Sequence, residues 1–240
     1  MLRGDNVVFL LDVDNTLFDN DRFKADLARR LLRDFGPKGS ELYWAHYDAL
    51  RVALGYVDYL TALQRLRAEI DETPQLLAMS SYLLDYPFPA NLYPGALAVI
   101  AHLQALGKPV VFSDGDIVFQ PRKIQRSGVW DAVDERVIVT VHKQGALAAM
   151  QQSFPARHYV MVDDKPQILA AMKTVLGDRL TTVFVRQGHY AAESDVATIS
   201  PPPDRSIDHI GLLCDRDLQW FLPNESSGVA ALVHVTTTSS

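Results

Sequence analysis

Short apolar runs punctuate the chain at Val7 to Leu11, Pro109 to Phe112, Arg136 to Thr140, His158 to Val162 and Thr181 to Val185. They are rich in β-branched or aromatic residues and flanked by polar ones, the pattern of strands buried on both faces of a parallel sheet. Segments with helical spacing lie between them: Ala96 to Leu106 behind Pro94-Gly95, Gln120 to Ser127, Gln144 to Ser153, and Pro166 to Leu176. The alternation predicts an α/β fold with a doubly wound parallel sheet.

The stretch from Asp21 to Pro89 breaks the alternation and reads as helical throughout. Phe23, Leu27 and Leu31 repeat every four residues, Tyr43, Tyr47 and Leu50 share a face, and Leu60, Leu63 and Leu66 follow another. A crossover between parallel strands needs only about a dozen residues. A separate helical module over 21–89 is therefore predicted, inserted in a core formed by 1–20 and 90–222, with Pro87, Pro89 and Pro94 in the return linker. Tyr43, Trp44, Tyr47, Tyr56 and Tyr59 could line a substrate pocket, although an aromatic stripe at helical spacing is more often a core face, and none of them is assigned. Further on, Pro201-Pro202-Pro203 predicts a stiff extended connector, Ile207 to Leu213 a last edge strand, and 223–240 a flexible tail.

Composition narrows the classes. With 240 residues, 48% hydrophobic and 22% charged, the chain can bury a substantial core. The net charge of -6 arises from 29 acidic and 23 basic residues mixed along the chain, so no basic face for nucleic acid is expected. Cys214 is the single cysteine, which removes an internal disulfide and a cysteine-rich metal site. No apolar run approaches the roughly 18 residues of a membrane span. The apolar stretch Val7 to Leu11 runs directly into acidic residues, unlike a signal peptide. A cytoplasmic protein with no membrane partner is expected; oligomeric state is not legible.

Ligand sites in open parallel sheets lie at the carboxyl ends of the strands. There the first run leads into Asp12 and Asp14, the second into Ser113-Asp114-Gly115, the third into His142-Lys143, and the fourth into Asp163-Asp164. Carboxylates crowded at one sheet edge repel unless a cation sits among them. All-oxygen ligands without a His or Cys cluster favour Mg²⁺. With that charge masked, one carboxylate can attack phosphorus to form an aspartyl phosphate. Lys143 and Ser113 can neutralise the phosphoryl oxygens, and the second acid can protonate the leaving alkoxide and later activate water. Arg122 and Lys123 rival Lys143 for this role, the place of Lys143 directly after a strand favouring it. His142 reads as structural or solvent-facing, Ser113-Asp114-Gly115 also suits a turn, and Gln187-Gly188-His189-Tyr190 could border the site but reads first as a surface loop.

The run Asp12-Val13-Asp14-Asn15-Thr16, then Ser113, Lys143 and the Asp163-Asp164 pair in this order, resembles the haloacid dehalogenase superfamily in its phosphatase branch. The resemblance spans roughly Val7 to Val185. It implies a Rossmann-like three-layer core, with the helical module as an inserted cap. It further implies Asp12 as nucleophile and metal ligand, and Asp14 as general acid/base whose backbone carbonyl binds metal. Thr16 would position Asp14, and Ser113 with the Asp114 amide, beside Gly115, would hold the phosphoryl group. Lys143 would stabilise charge on Asp12 and the phosphoryl group. Asp164 would ligate the metal directly and Asp163 through water. The sequence departs from the family pattern at Gln144-Gly145, where relatives carry proline, and at Lys165-Pro166, where they carry a small residue. Dehalogenases of the superfamily lack the second acid, so Asp14 points to phosphoryl transfer.

The expected activity is Mg²⁺-dependent hydrolysis of a small phosphorylated metabolite. A phosphomutase shares the first step. A non-catalytic phosphate-binding relative would not need both Asp12 and Asp14. A phosphoacceptor signalling domain carries its acceptor on a later strand than its acidic pair, and lacks the insert.

Overall fold

A computed structural model describes residues 6–71 and 73–223. Its strands are β1 (Val7–Leu11), β2 (Lys108–Asp114), β3 (Val137–Thr140), β4 (His158–Asp163), β5 (Leu180–Val185) and β6 (Arg205–Ile207), in the order β3-β2-β1-β4-β5-β6. All pairings are parallel. The helices are α1 (Asn20–Leu54), α2 (Tyr59–Arg67), α3 (Thr73–Asp85), α4 (Ala96–Leu106), α5 (Phe119–Arg126), α6 (Val129–Ala132), α7 (Leu147–Ser153), α8 (Pro166–Leu176) and α9 (Gly188–Glu193). The fold is a Rossmann-like α/β sandwich. Alternation along β1 shows why: Val7, Phe9 and Leu11 enter the core on one sheet face, Val8 and Leu10 the core on the other.

The helical reading of the insert holds, as α1, α2 and α3. Helix α1 begins at Asp19, whose side chain accepts the Arg22 amide, and is broken midway at Gly36-Pro37. Its buried positions include Phe23, Leu27, Leu31, Tyr43, Tyr47 and Leu50. An aromatic cluster fastens these helices to the sheet side of the molecule. The ring of Phe119 on α5 lies 5.5 Å from Phe23 and 4.9 Å from Tyr59, while Phe23 meets Tyr86 at 4.9 Å. Tyr43, Tyr47 and Tyr59 are thus packing residues, and the Tyr43 hydroxyl donates to the Tyr59 carbonyl at 3.0 Å.

Three expectations need correction. The last edge strand is Arg205–Ile207, and Ile210–Asp215 is a 3-10 helix. Its amide end is claimed by another loop: Ile210 N donates to the Gln187 side chain at 2.6 Å. The helix expected from Gln144 starts at Leu147, because Lys143–Gly145 forms a 3-10 turn first. Gln187 to Tyr190 is no free surface loop. Gln187 is buried and donates to the Thr16 carbonyl at 3.2 Å, and α9 starts at Gly188. The expected tail lies, beyond Pro223, outside the described residues. No described helix is long and apolar enough to cross a membrane.

Candidate active site

In this strand order the chain reverses direction across the sheet between β1 and β4, where ligand crevices form at the carboxyl ends. Leu11, the last residue of β1, pairs with Val111 on one side and Val162 on the other. Asp12 follows it, Asp163 ends β4, and Asp164 comes next, so register alone brings the three carboxylates together. Their oxygens lie within 4.8 Å of one another, and all three residues are buried.

Lys143 reaches this cluster from the turn after β3. Its ammonium donates to Asp12 Oδ1 at 2.5 Å and Asp163 Oδ2 at 2.6 Å. Burial alone would lower its pKa, but the charges of Asp12, Asp163 and Asp114 outweigh that and hold it above the ordinary lysine value. Asp12 Oδ2 accepts from the Thr16 hydroxyl at 3.3 Å, so Thr16 supports Asp12 directly. Asp163 Oδ1 accepts the Lys165 amide at 2.9 Å. Asp164 differs: both its oxygens are buried without a hydrogen-bond partner. Burial first, then the charges of Asp163 and Asp12, push its pKa up to about 9. A buried carboxylate left unsatisfied among acids marks a place for a cation. The oxygen-only donor set fits a hard divalent metal.

Asp14 is held apart. Its carboxylate pairs with the Lys123 ammonium and accepts from Gln120 Nε2 at 3.4 Å, with its side chain 28% exposed. Gln120 also donates to Ser113 Oγ at 2.9 Å, linking Asp14 to the buried serine. Asp114 accepts the Lys143 amide at 2.8 Å and so anchors the turn that carries the lysine; burial raises its pKa to about 6. Gly115 gives its amide to the Thr140 carbonyl, so it offers shape rather than a donor: a Cβ there would meet Gln120 at 2.8 Å.

Of the two rivals of Lys143, Lys123 is fully buried and pairs with Asp14 instead, whereas Arg122 faces Asp85 at 3.2 Å. The signal available was a lysine on the apolar face of α5, between Phe119 and Ile124. Gln120 and Lys165 were also missed as site residues. A further set joins the first loop to α9. His189 Nδ1 lies 2.6 Å from Asp21 Oδ1, the His189 amide donates to Asp21 Oδ2 at 2.8 Å, and Asn15 Oδ1 accepts the Asn20 and Asp21 amides at 3.0 and 3.3 Å. His142 is exposed at the site rim, its ring against Gly55.

Over Asp14 lies a cavity of about 190 Å³ shared by both parts of the chain, with Arg51, Tyr56 and Tyr59 on one side and Asp114, Gln120 and Lys165 on the other. A larger cavity, about 320 Å³, sits between α2 and α3 and contains none of the site carboxylates.

Comparison with known proteins agrees with this architecture. The profile of the haloacid dehalogenase-like hydrolases matches residues 7–175. A haloacid dehalogenase-like hydrolase from Burkholderia xenovorans LB400 is similar at 53% identity and a TM-score of 0.82, over 89% of this chain and 99% of that one. The fold is shared with YfnB of Bacillus subtilis, a HAD-hydrolase solved with magnesium, at 17% identity and a TM-score of 0.59 over 88% and 97% of the two chains. It is shared too with L-2-haloacid dehalogenase of Xanthobacter autotrophicus, at 18% identity and a TM-score of 0.57 over 88% and 97%. A search of curated proteins found no match. With its profile match running from β1 through α8 and a close likeness over nearly the whole Burkholderia protein, the chain belongs to the haloacid dehalogenase-like hydrolases.

Proposed function

We propose that this hydrolase is a Mg²⁺-dependent phosphatase that cleaves a small phosphomonoester through an aspartyl phosphate on Asp12. The observation that carries this reading is the separation of two acids only two residues apart. Asp12 is buried against Lys143 and Thr16, while Asp14 is turned to Lys123 and Gln120 and borders the cavity. Divergent environments for paired acids are how one site divides nucleophile from proton carrier. A haloalkane-type displacement has no use for the second acid, because halide leaves without a proton.

Asp12 and Asp164, with Asp163 beside them, would hold the Mg²⁺, the Asp14 carbonyl completing the set. Bound there, the ion would mask carboxylate charge and polarise the phosphoryl group. Asp12 attacks phosphorus, and the bond to the ester oxygen breaks as Asp14 delivers its proton to that oxygen. Asp14 then takes a proton from water as water attacks the aspartyl phosphate, which restores Asp12 and releases phosphate. Lys143 and Ser113 stabilise the equatorial oxygens, with Gln120 orienting the serine. The helices α1 to α3 act as a cap over the cavity, limiting water and contacting the leaving group.

The test is phosphate release from p-nitrophenyl phosphate and a panel of phosphorylated metabolites, with Mg²⁺ and with chelator. Wild type should turn over, and Asp12→Asn and Asp14→Asn should not. Absence of turnover by folded, Mg²⁺-loaded wild type on the whole panel would sink the proposal. Return of the phosphoryl group as a product isomer would make the enzyme a mutase instead.

A further inference from the structure

Two lysines stand against the three buried acids, and they do so differently. Lys143 hydrogen-bonds Asp12 and Asp163. The Lys165 ammonium makes no hydrogen bond among the described residues and rests over the Tyr190 ring, 4.6 Å from its centre, at the wall of the cavity that Asp14 and Asp114 also line. Its backbone is fixed beside the acids. Lys165 follows Asp164 in the chain, its amide donates to Asp163 Oδ1 at 2.9 Å, and Pro166 opens α8 directly behind it.

What this ammonium faces is the cluster. Burial alone would lower its pKa, but the charges of Asp12, Asp163 and Asp164 outweigh that and hold it above the ordinary lysine value. Of the two lysines, Lys165 bears more strongly on Asp164, whose two oxygens have no hydrogen-bond partner. Lys165 therefore relieves the acids through space and leaves those oxygens free to ligate. A divalent ion seated on them meets the ammonium as a like charge. The proton that competes for Asp164 meets it too, but with one charge to the ion's two.

We propose that Lys165 is a tethered counter-ion to Asp12, Asp163 and Asp164 that holds down their affinity for a divalent ion. The inference rests on the metal-binding part of the phosphatase reading and adds to it: the site is set to take Mg²⁺ weakly and exchangeably, and a residue that ligates nothing sets it so. Lys165 acts through the acids, as a positioning residue for charge.

The experiment is calorimetric titration of Mg²⁺ into the metal-stripped full chain, wild type and variants. Lys165→Met should bind Mg²⁺ tighter by roughly tenfold or more, the scale of removing one nearby like charge from a divalent ion. Lys165→Gln, a second neutral variant, should do the same, and Lys165→Arg, which keeps the charge, should stay near wild type. Adding Asp164→Asn should abolish the gain, which places it at the cluster. A lysine that only supported the fold would weaken binding when removed. Unchanged or weaker Mg²⁺ binding in the neutral variants overturns the proposal, as does failure of both to fold, and either leaves the phosphatase reading standing. No Mg²⁺ binding by wild type or any variant defeats both.

Discussion

The Lys123 ammonium rests on the Asp14 carboxylate from within the core, with the Phe18 and Phe119 ring centres 5.3 and 5.7 Å away. A lysine so placed fixes where the Asp14 carboxylate points, away from the three-acid cluster and toward the cavity. Lys123→Met should therefore lower kcat by about 10²-fold or more, within the range of lost acid/base catalysis. The loss should be greater for alkyl than for aryl phosphates, since a poor leaving group depends more on its proton donor. Lys123→Arg should recover part of the activity. Equal losses on both ester types would mean that Lys123 only supports the fold.

Lys143 bonds Asp12 and Asp163 at once, so its removal leaves Asp12, Asp163 and Asp164 crowded without their direct counter-charge. Lys143→Met should lower kcat by on the order of 10²-fold or more. It should also make the fold more dependent on a divalent ion, because any ligand that binds only the folded state stabilises it by mass action. Thermal melts with and without Mg²⁺ check this. The rise in Tm on adding the ion should be larger for the variant than for wild type, and should vanish when Asp164→Asn is introduced.

His158 predicts how the fold responds to acid. It starts β4, is buried, and lies 2.9 Å from the Thr181 hydroxyl; burial first, then the nearby Lys173 charge, lower its pKa to about 4. In the unfolded chain an imidazole titrates near 6.5. The unfolded state therefore takes up its proton first as pH falls. The stability gained by keeping His158 neutral is complete above about 6.5 and drains away between there and 4, by at most on the order of 3 kcal/mol. Urea unfolding of wild type and His158→Gln at pH 7.5, 5.5 and 4.5 measures it, and the variant should show a shallower slope over that range.

Much of this arrangement could be read from sequence because it rests on local pattern. Apolar runs end directly in Asp12 and Asp163, Lys143 follows close behind a third, and a parallel register makes strand ends neighbours without further information. What escaped depends on contacts between distant segments. Lys123 looks like any helical lysine until Asp14 is found above it, 109 residues away in sequence. The pairing of His189 with Asp21 spans 168 residues and follows no periodicity. The segment Ile207 to Leu213 has the composition of a strand, but its hydrogen bonding is decided by Gln187, and only three residues pair at the edge.

Gly188 is where the loop after β5 meets the first loop, and two effects there can be told apart. Its φ of +69° is left-handed, and a Cβ would lie 2.5 Å from Asn15 Cβ and Cγ. Asn15 holds the start of α1 through the Asn20 and Asp21 amides, and His189 grips Asp21 from the other side. Gly128 is also left-handed, at +85°, with nothing within 4 Å of its would-be Cβ. Gly128→Ala should thus cost only the backbone term of about 1–2 kcal/mol. Gly188→Ala should cost more, because Asn15 must move as well, and that displacement reaches both Thr16 and the helix leading to the cavity. Denaturant unfolding should rank the variants in this order, and kcat for p-nitrophenyl phosphate should fall in Gly188→Ala while staying near wild type in Gly128→Ala. Equal destabilisation with unchanged kcat in both would show that the contact with Asn15 transmits nothing to the site.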